Sequence, residues 1–210
     1  MKTFLLIIIT LGTTSLELSS KYEQQMLKHI EALYKTKSPE DFQALTNAFD
    51  RIANVEKDKW EPLYYGAYST LLWSYRILEV PEKDKLIDQA LEKINRAAEI
   101  APQESEIVAL EGFAHMTRVT IDPASRGAQY SGLALQTYGK ALAMNPKNPR
   151  AMLLMAQMQY GTAQFFGSDT NEACALLKKA INAFETYQND NPLAPAWGED
   201  QAKASLGSCQ

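Results

Sequence analysis

Histidine and cysteine are scarce in these 210 residues, with His29, His115, Cys174 and Cys209 as the full complement. Metal and nucleophile chemistry usually needs such residues clustered at ligand spacing. The sequence has no H-E-x-x-H, no glycine-rich phosphate loop, no C-x-x-C pair and no serine–histidine–aspartate set. An enzyme is therefore not expected. Charge of one sign is scarce as well: the formal net charge is −4, the pI is near 5.3, and no Lys/Arg-rich run occurs. Nucleic acid, which is met by a basic face, is not an expected partner. Long apolar runs are absent too. The most apolar stretch, residues 4–11, is far short of the roughly 20 residues that span a bilayer. No segment alternates apolar and polar residues as a half-buried strand does.

That apolar stretch follows Lys2 and precedes the small polar residues 12–15. A positive start, a short apolar core and small residues after it describe a secretory signal peptide. Thr13 and Ser15 suit a cut near residue 15, and a cut nearer Ser20 also fits. No cysteine follows the apolar core, so a lipid anchor is not indicated. The expected organisation is a signal peptide over 1–20 and one domain over 21–210, exported to the periplasm or secreted. In an oxidising compartment Cys174 and Cys209 either pair or remain two buried thiols.

Beyond residue 20 the apolar spacing is helical throughout. The spacing predicts helices over 21–35, from Ser38-Pro39 to about 55, and over 60–78, 84–101, 104–121, 128–144, 149–165 and 171–187, with a short last helix ending near Cys209. Pro81 is read as the stop of the third helix and residues 122–127 as a loop. A four-point pattern recurs inside this series. Ala90, Ile94, Ala97 and Pro102 reappear as Ala134, Tyr138, Ala141 and Pro146, each displaced by 44 positions. Small residues flanking a bulky one let a neighbouring helix approach, and the proline fixes the stop. A fainter copy, Ala173, Leu177 and Ala180, follows 39 positions after the second. Nine helices, as four antiparallel pairs and a terminal helix, would bury their apolar faces by stacking pair on pair.

The small–x3–bulky–x2–small–x4–Pro spacing resembles the second helix of tetratricopeptide repeats. Trp60 and Leu63 match that family's W-x-x-L start, and Gly112 falls near its small first-helix position. The units of 44 and 39 residues exceed the family's usual length of about 34. The sequence is also similar to small exported tetratricopeptide-type proteins of Gram-negative bacteria. The resemblance implies an all-α, α-α superhelix whose first helices, over 60–78, 104–121 and 149–165, line a concave groove. It implies a non-catalytic scaffold without a cofactor that binds a protein or peptide there. Tyr64, Tyr68, Tyr75, Arg118 and Met155 are the candidate groove residues, because tyrosine offers broad contact area at little rotamer cost. The alternative is a carrier or sensor of a small apolar ligand or a metal. Met152, Met155 and Met158, at steps of three, suit Cu(I) or a plastic core. Glu111, His115 and Arg118 are the residues an enzymatic reading would use, and Arg126 sits in the expected loop over 122–127.

Overall fold

The computed structural model describes residues 20–209. The expected signal peptide lies, Ser20 excepted, outside the described residues. The described chain forms α1 (Lys21–Lys35), α2 (Pro39–Val55), α3 (Glu61–Ser74), α4 (Val80–Ile100), α5 (Ser105–Ile121), α6 (Pro123–Met144), α7 (Pro149–Phe166), α8 (Asn171–Glu185) and α9 (Glu199–Leu206), closed by a 3-10 turn over Gly207–Cys209. No strand occurs among the described residues.

Local chemistry sets the helix starts. The Ser20 hydroxyl accepts from the Glu23 amide at 3.1 Å, while the Ser20 amide donates to the Glu23 carboxylate at 3.0 Å. This reciprocal pair satisfies two amides that the first turn leaves without helical partners. Ser38 opens α2 in the same way, accepting from the Asp41 amide at 3.1 Å with Pro39 in the first turn. Asn148 opens α7 by accepting from the Ala151 amide at 2.8 Å.

Two boundaries differ from the sequence reading. The third helix ends at Ser74 rather than near 78, and Pro81 lies inside the first turn of α4 instead of closing α3. Proline tolerates that first turn because its missing N–H has no helical acceptor there. Residues 123–127 are likewise helix, not loop. Asp122 caps α6 by accepting from the Ser125 amide at 3.2 Å, and Pro123 supplies a preset first turn. An Asp-Pro pair is a helix start as readily as a turn.

The helices pack as successive antiparallel pairs, with α1, α3, α5 and α7 as first members and α2, α4, α6 and α8 as second members. Every residue of the recurring small–bulky–small pattern is buried. Contacts between side chains separated by about one unit tie pair to pair: Lys93 donates to Asp50 at 2.8 Å, Tyr75 shares a 3.2 Å hydrogen bond with Thr117, and Asn148 donates to Ser105 at 2.9 Å. Tyr138 shows why the pattern needs a small partner. Its ring lies against Gly112 of α5, so closely that a Cβ there would sit 2.3 Å from a ring carbon. Both residues are buried, so an added methyl can be accommodated only by displacing the ring. Gly112→Ala is expected to lower unfolding stability by about 1–3 kcal/mol through overpacking, measured as a lower urea midpoint at unchanged slope.

Candidate functional site

The aromatic face that Tyr64, Tyr65 and Tyr68 of α3 form is covered by a segment of the chain itself. Residues 186–198, between α8 and α9, lie across α3. The Tyr65 hydroxyl donates to the Leu193 carbonyl at 3.0 Å, and Asn191 donates to Glu61 at 2.9 Å. The Ala196 amide donates to the Tyr34 hydroxyl at 3.2 Å, which reaches α1 as well. Trp197 completes the cover. Its ring stacks on Tyr68 with centroids 4.6 Å apart and planes 12° from parallel, and its indole N–H donates to the Tyr64 hydroxyl at 3.0 Å. Phe113 of α5 meets the same indole at 6.3 Å.

Arg150 clasps this segment from α7. Its Nε and Nη2 donate to the two Glu106 carboxylate oxygens at 2.7 and 2.9 Å, and Nη1 donates to the Trp197 carbonyl at 3.1 Å. The guanidinium also lies over the Tyr187 ring at 4.6 Å, a cation–π contact. Arg150 is 1% exposed and Glu106 4%. Burial pushes the Glu106 carboxyl up, against the pull of the Arg150 charge. Burial works against the Arg150 charge, yet Glu106 holds that guanidinium above its ordinary value. A bidentate fork of this kind satisfies a planar cation more completely than a lysine would. Burial also raises the Tyr64 hydroxyl well above its ordinary value, so it stays a neutral hydrogen-bonding group.

No family model and no curated protein matches the sequence. Among solved structures, the chain is similar to the HusA haemophore from Porphyromonas gingivalis, with a TM-score of 0.80 and 29% identity over 90% of this chain and 92% of that one. It is also similar to a thermophilic tetratricopeptide protein of Thermus thermophilus, with a TM-score of 0.59 and 21% identity over 88% of this chain and 83% of that one. The fold is a tetratricopeptide-type helical repeat. The long units are accommodated by extended second helices: α4 has 21 residues and α6 has 22.

Within this tetratricopeptide scaffold the five candidate groove residues do not share one environment. Tyr64 and Tyr68 are buried, 1% and 4% exposed, and both are covered by Trp197 of the same chain. Tyr75 is 41% exposed, with its ring stacked on Phe113 at 6.2 Å. Met155 is half-buried against the main core. Arg118 is not isolated: it donates to Asp84 at 2.9 Å and to Asp88. Arg126, on α6, donates to both oxygens of the same Asp84 at 2.6 and 2.8 Å, and this hydrogen bonding holds the Asp84 carboxyl below its ordinary value. Arg118 further lies over the Tyr130 ring at 5.5 Å.

The residues of the enzymatic reading are only partly brought together. His115 Nε2 stands 3.9 Å from Glu111 and its ring stacks on Tyr130, but Arg118 is committed to Asp84 and Asp88. The methionine stripe divides between two cores, Met152 with α8 and α9, and Met155 and Met158 with the main cluster. Among the described residues no three His, Cys, Asp or Glu side chains converge on a metal position, and no helix is long and apolar enough to cross a membrane. The sulfurs of Cys174 and Cys209 are 2.00 Å apart in a disulfide that joins α8 to the final turn.

Arg150, Glu106 and Trp197 escaped the sequence reading. One signal pointed to the first two: Glu106 and Arg150 are 44 positions apart, the displacement of the recurring pattern, so they occupy equivalent places in adjacent units. Arg150→Ala leaves a buried carboxylate without its counter-charge and is expected to lower stability by about 3–5 kcal/mol. The paired replacement Arg150→Met with Glu106→Leu is expected to regain most of that loss. Urea unfolding of the three proteins, followed by tryptophan emission, checks both outcomes.

Proposed function

We propose that this chain is an exported, non-catalytic carrier that holds a porphyrin on its helical scaffold. The supporting observation is the likeness to a haemophore over nine-tenths of both chains, at 29% identity and a TM-score of 0.80. A porphyrin is a flat, largely apolar disc edged by carboxylates. A scaffold of packed helices suits such cargo, because clefts between helices supply apolar walls while long cationic side chains at their mouths reach the carboxylates. Carriage needs no reacting group, in keeping with the sparse histidine and cysteine.

Haemin added to the purified protein is expected to show a shifted and saturable Soret band at equimolar ratio, with a dissociation constant on the order of micromolar or tighter. Metal-free protoporphyrin IX is expected to compete with it. A Soret band identical to that of haemin in buffer alone, at every ratio, overturns the reading.

A second reading, binding of a protein or peptide partner, is favoured by a separate observation. Phe165 and Phe166, at the end of α7, pack edge to face at 5.1 Å yet are 62% and 73% exposed. Large exposed aromatic pairs mark contact surfaces. Of the groove candidates, this reading retains Tyr75, which is 41% exposed. Crosslinking in the envelope of the native host, with Phe166→Ser as the comparison, is expected to lose a discrete adduct if this surface docks a partner.

A further inference from the structure

The first helix pair contains a cleft with the two chemistries a porphyrin requires. It lies between α1 and α2 and has a volume of about 440 Å³, within the range of roughly 300–1,000 Å³ common for small-ligand sites. Tyr22 and His29 of α1 form one wall, and Ala48, Ile52 and Val55 of α2 form the other. His29 is set edge-on to the buried Phe49 ring, with centroids 5.9 Å apart. Burial lowers its pKa, and the neighbouring Lys28 and Arg51 charges lower it further, so at neutral pH it contributes an uncharged ring. Val55 stands 78% exposed, an apolar surface that nothing else in the described chain covers.

Two cations and one carboxylate line this cleft, and at its Tyr22 edge the hydroxyl donates to Glu61 at 3.3 Å. Lys21 and Arg51 line it, and neither enters an ion pair among the described residues. Lys28 lies one residue from His29, and Glu56 is the carboxylate in the lining. Two unpaired cations over an apolar wall, in a chain of net charge −4, call for an apolar ligand carrying carboxylates. Other hollows suit a porphyrin less well: the one beside Leu63 and Ile100, which has Lys57 and Arg96 in its lining, has a volume of only about 230 Å³. The larger cleft of about 510 Å³ between α2 and α4 is lined mainly by charged and amide side chains, and Lys93 there is already paired with Asp50. The aromatic face of α3 at Tyr64 and Tyr68 is covered by Trp197.

We propose that the cleft between α1 and α2 is the porphyrin seat, with the ring lying against His29, Ile52 and Val55 and its carboxylates meeting Lys21 and Arg51. This rests on the porphyrin reading above and adds to it a place and a set of contacts. The wall recognises the macrocycle and the rim recognises its carboxylates, so metal-free protoporphyrin IX is a sufficient probe.

Arg51→Glu and Val55→Glu both change exposed positions, so the fold is retained, and circular dichroism with thermal unfolding verifies it. Each is expected to weaken protoporphyrin IX binding about tenfold or more, the scale of one lost charge-assisted contact or one polar intrusion into an apolar wall. The dimethyl ester of the same porphyrin is expected to bind the unaltered protein more weakly than the free acid, and to bind Arg51→Glu no more weakly than it binds the unaltered protein. Phe166→Ser, far along the chain on α7, is expected to bind as the unaltered protein does. If the unaltered protein binds protoporphyrin IX while Arg51→Glu and Val55→Glu bind it equally well, the seat lies elsewhere and this inference is overturned, with the carrier reading intact. If the unaltered protein binds neither haemin nor protoporphyrin IX, the carrier reading fails and this inference with it.

Discussion

The buried pair of Arg150 and Glu106 is the constraint on which the closed half of this molecule depends. Two charges removed from water are tolerable only when each is fully engaged. Here the carboxylate takes two of the guanidinium's donors and the Trp197 carbonyl takes a third. The aromatic faces of Tyr187, Phe184 and Trp197 surround what remains of the cation. Because Glu106 is on α5, Arg150 on α7 and Trp197 on the segment that precedes α9, one set of contacts fixes three parts of the chain together. Trp197 then carries the constraint onward to Tyr64 and Tyr68 of α3.

This arrangement changes what the repeat scaffold offers to a ligand. A stack of helix pairs leaves the first helices facing a concave surface, and that surface is commonly where such proteins bind. In this chain the connection between α8 and α9 lies over the aromatic part of it, hydrogen-bonded to α1, α3 and α7 along its length. The disulfide between Cys174 and Cys209 fastens the turn that follows α9 back onto α8. Open surfaces include the cleft of the first helix pair, Tyr75 after α3, and the phenylalanine pair at the end of α7.

Much of the architecture is legible in the sequence, for local reasons. Ser38-Pro39 and Asn148-Pro149 are helix starts whatever surrounds them, because capping and the proline ring act within a few residues. The alternation of small and bulky residues at Ala90, Ile94 and Ala97, and again at Ala134, Tyr138 and Ala141, describes a buried helix face by itself. Pro81 and the Asp122-Pro123 pair are harder, since a proline that stops one helix and a proline that starts the next look alike in sequence. The candidate site is the least legible part. Tyr64 and Tyr68 stand out as aromatic residues of a first helix, but whether they meet a partner or their own chain depends on Trp197, which is 133 positions from Tyr64.

The sequence by itself determined that this is an all-α chain of repeated helix pairs, because helix periodicity, capping and the spacing of small and bulky residues are local facts. Only the tertiary structure decided that Arg150 is a buried clasp rather than an isolated surface charge, and that Trp197 fills the aromatic groove. It also decided that Lys21 and Arg51 flank an apolar cleft. Those outcomes depend on distances between residues remote in the chain. Burial and charge pairing take their energies from those distances, and spacing along the sequence does not encode them.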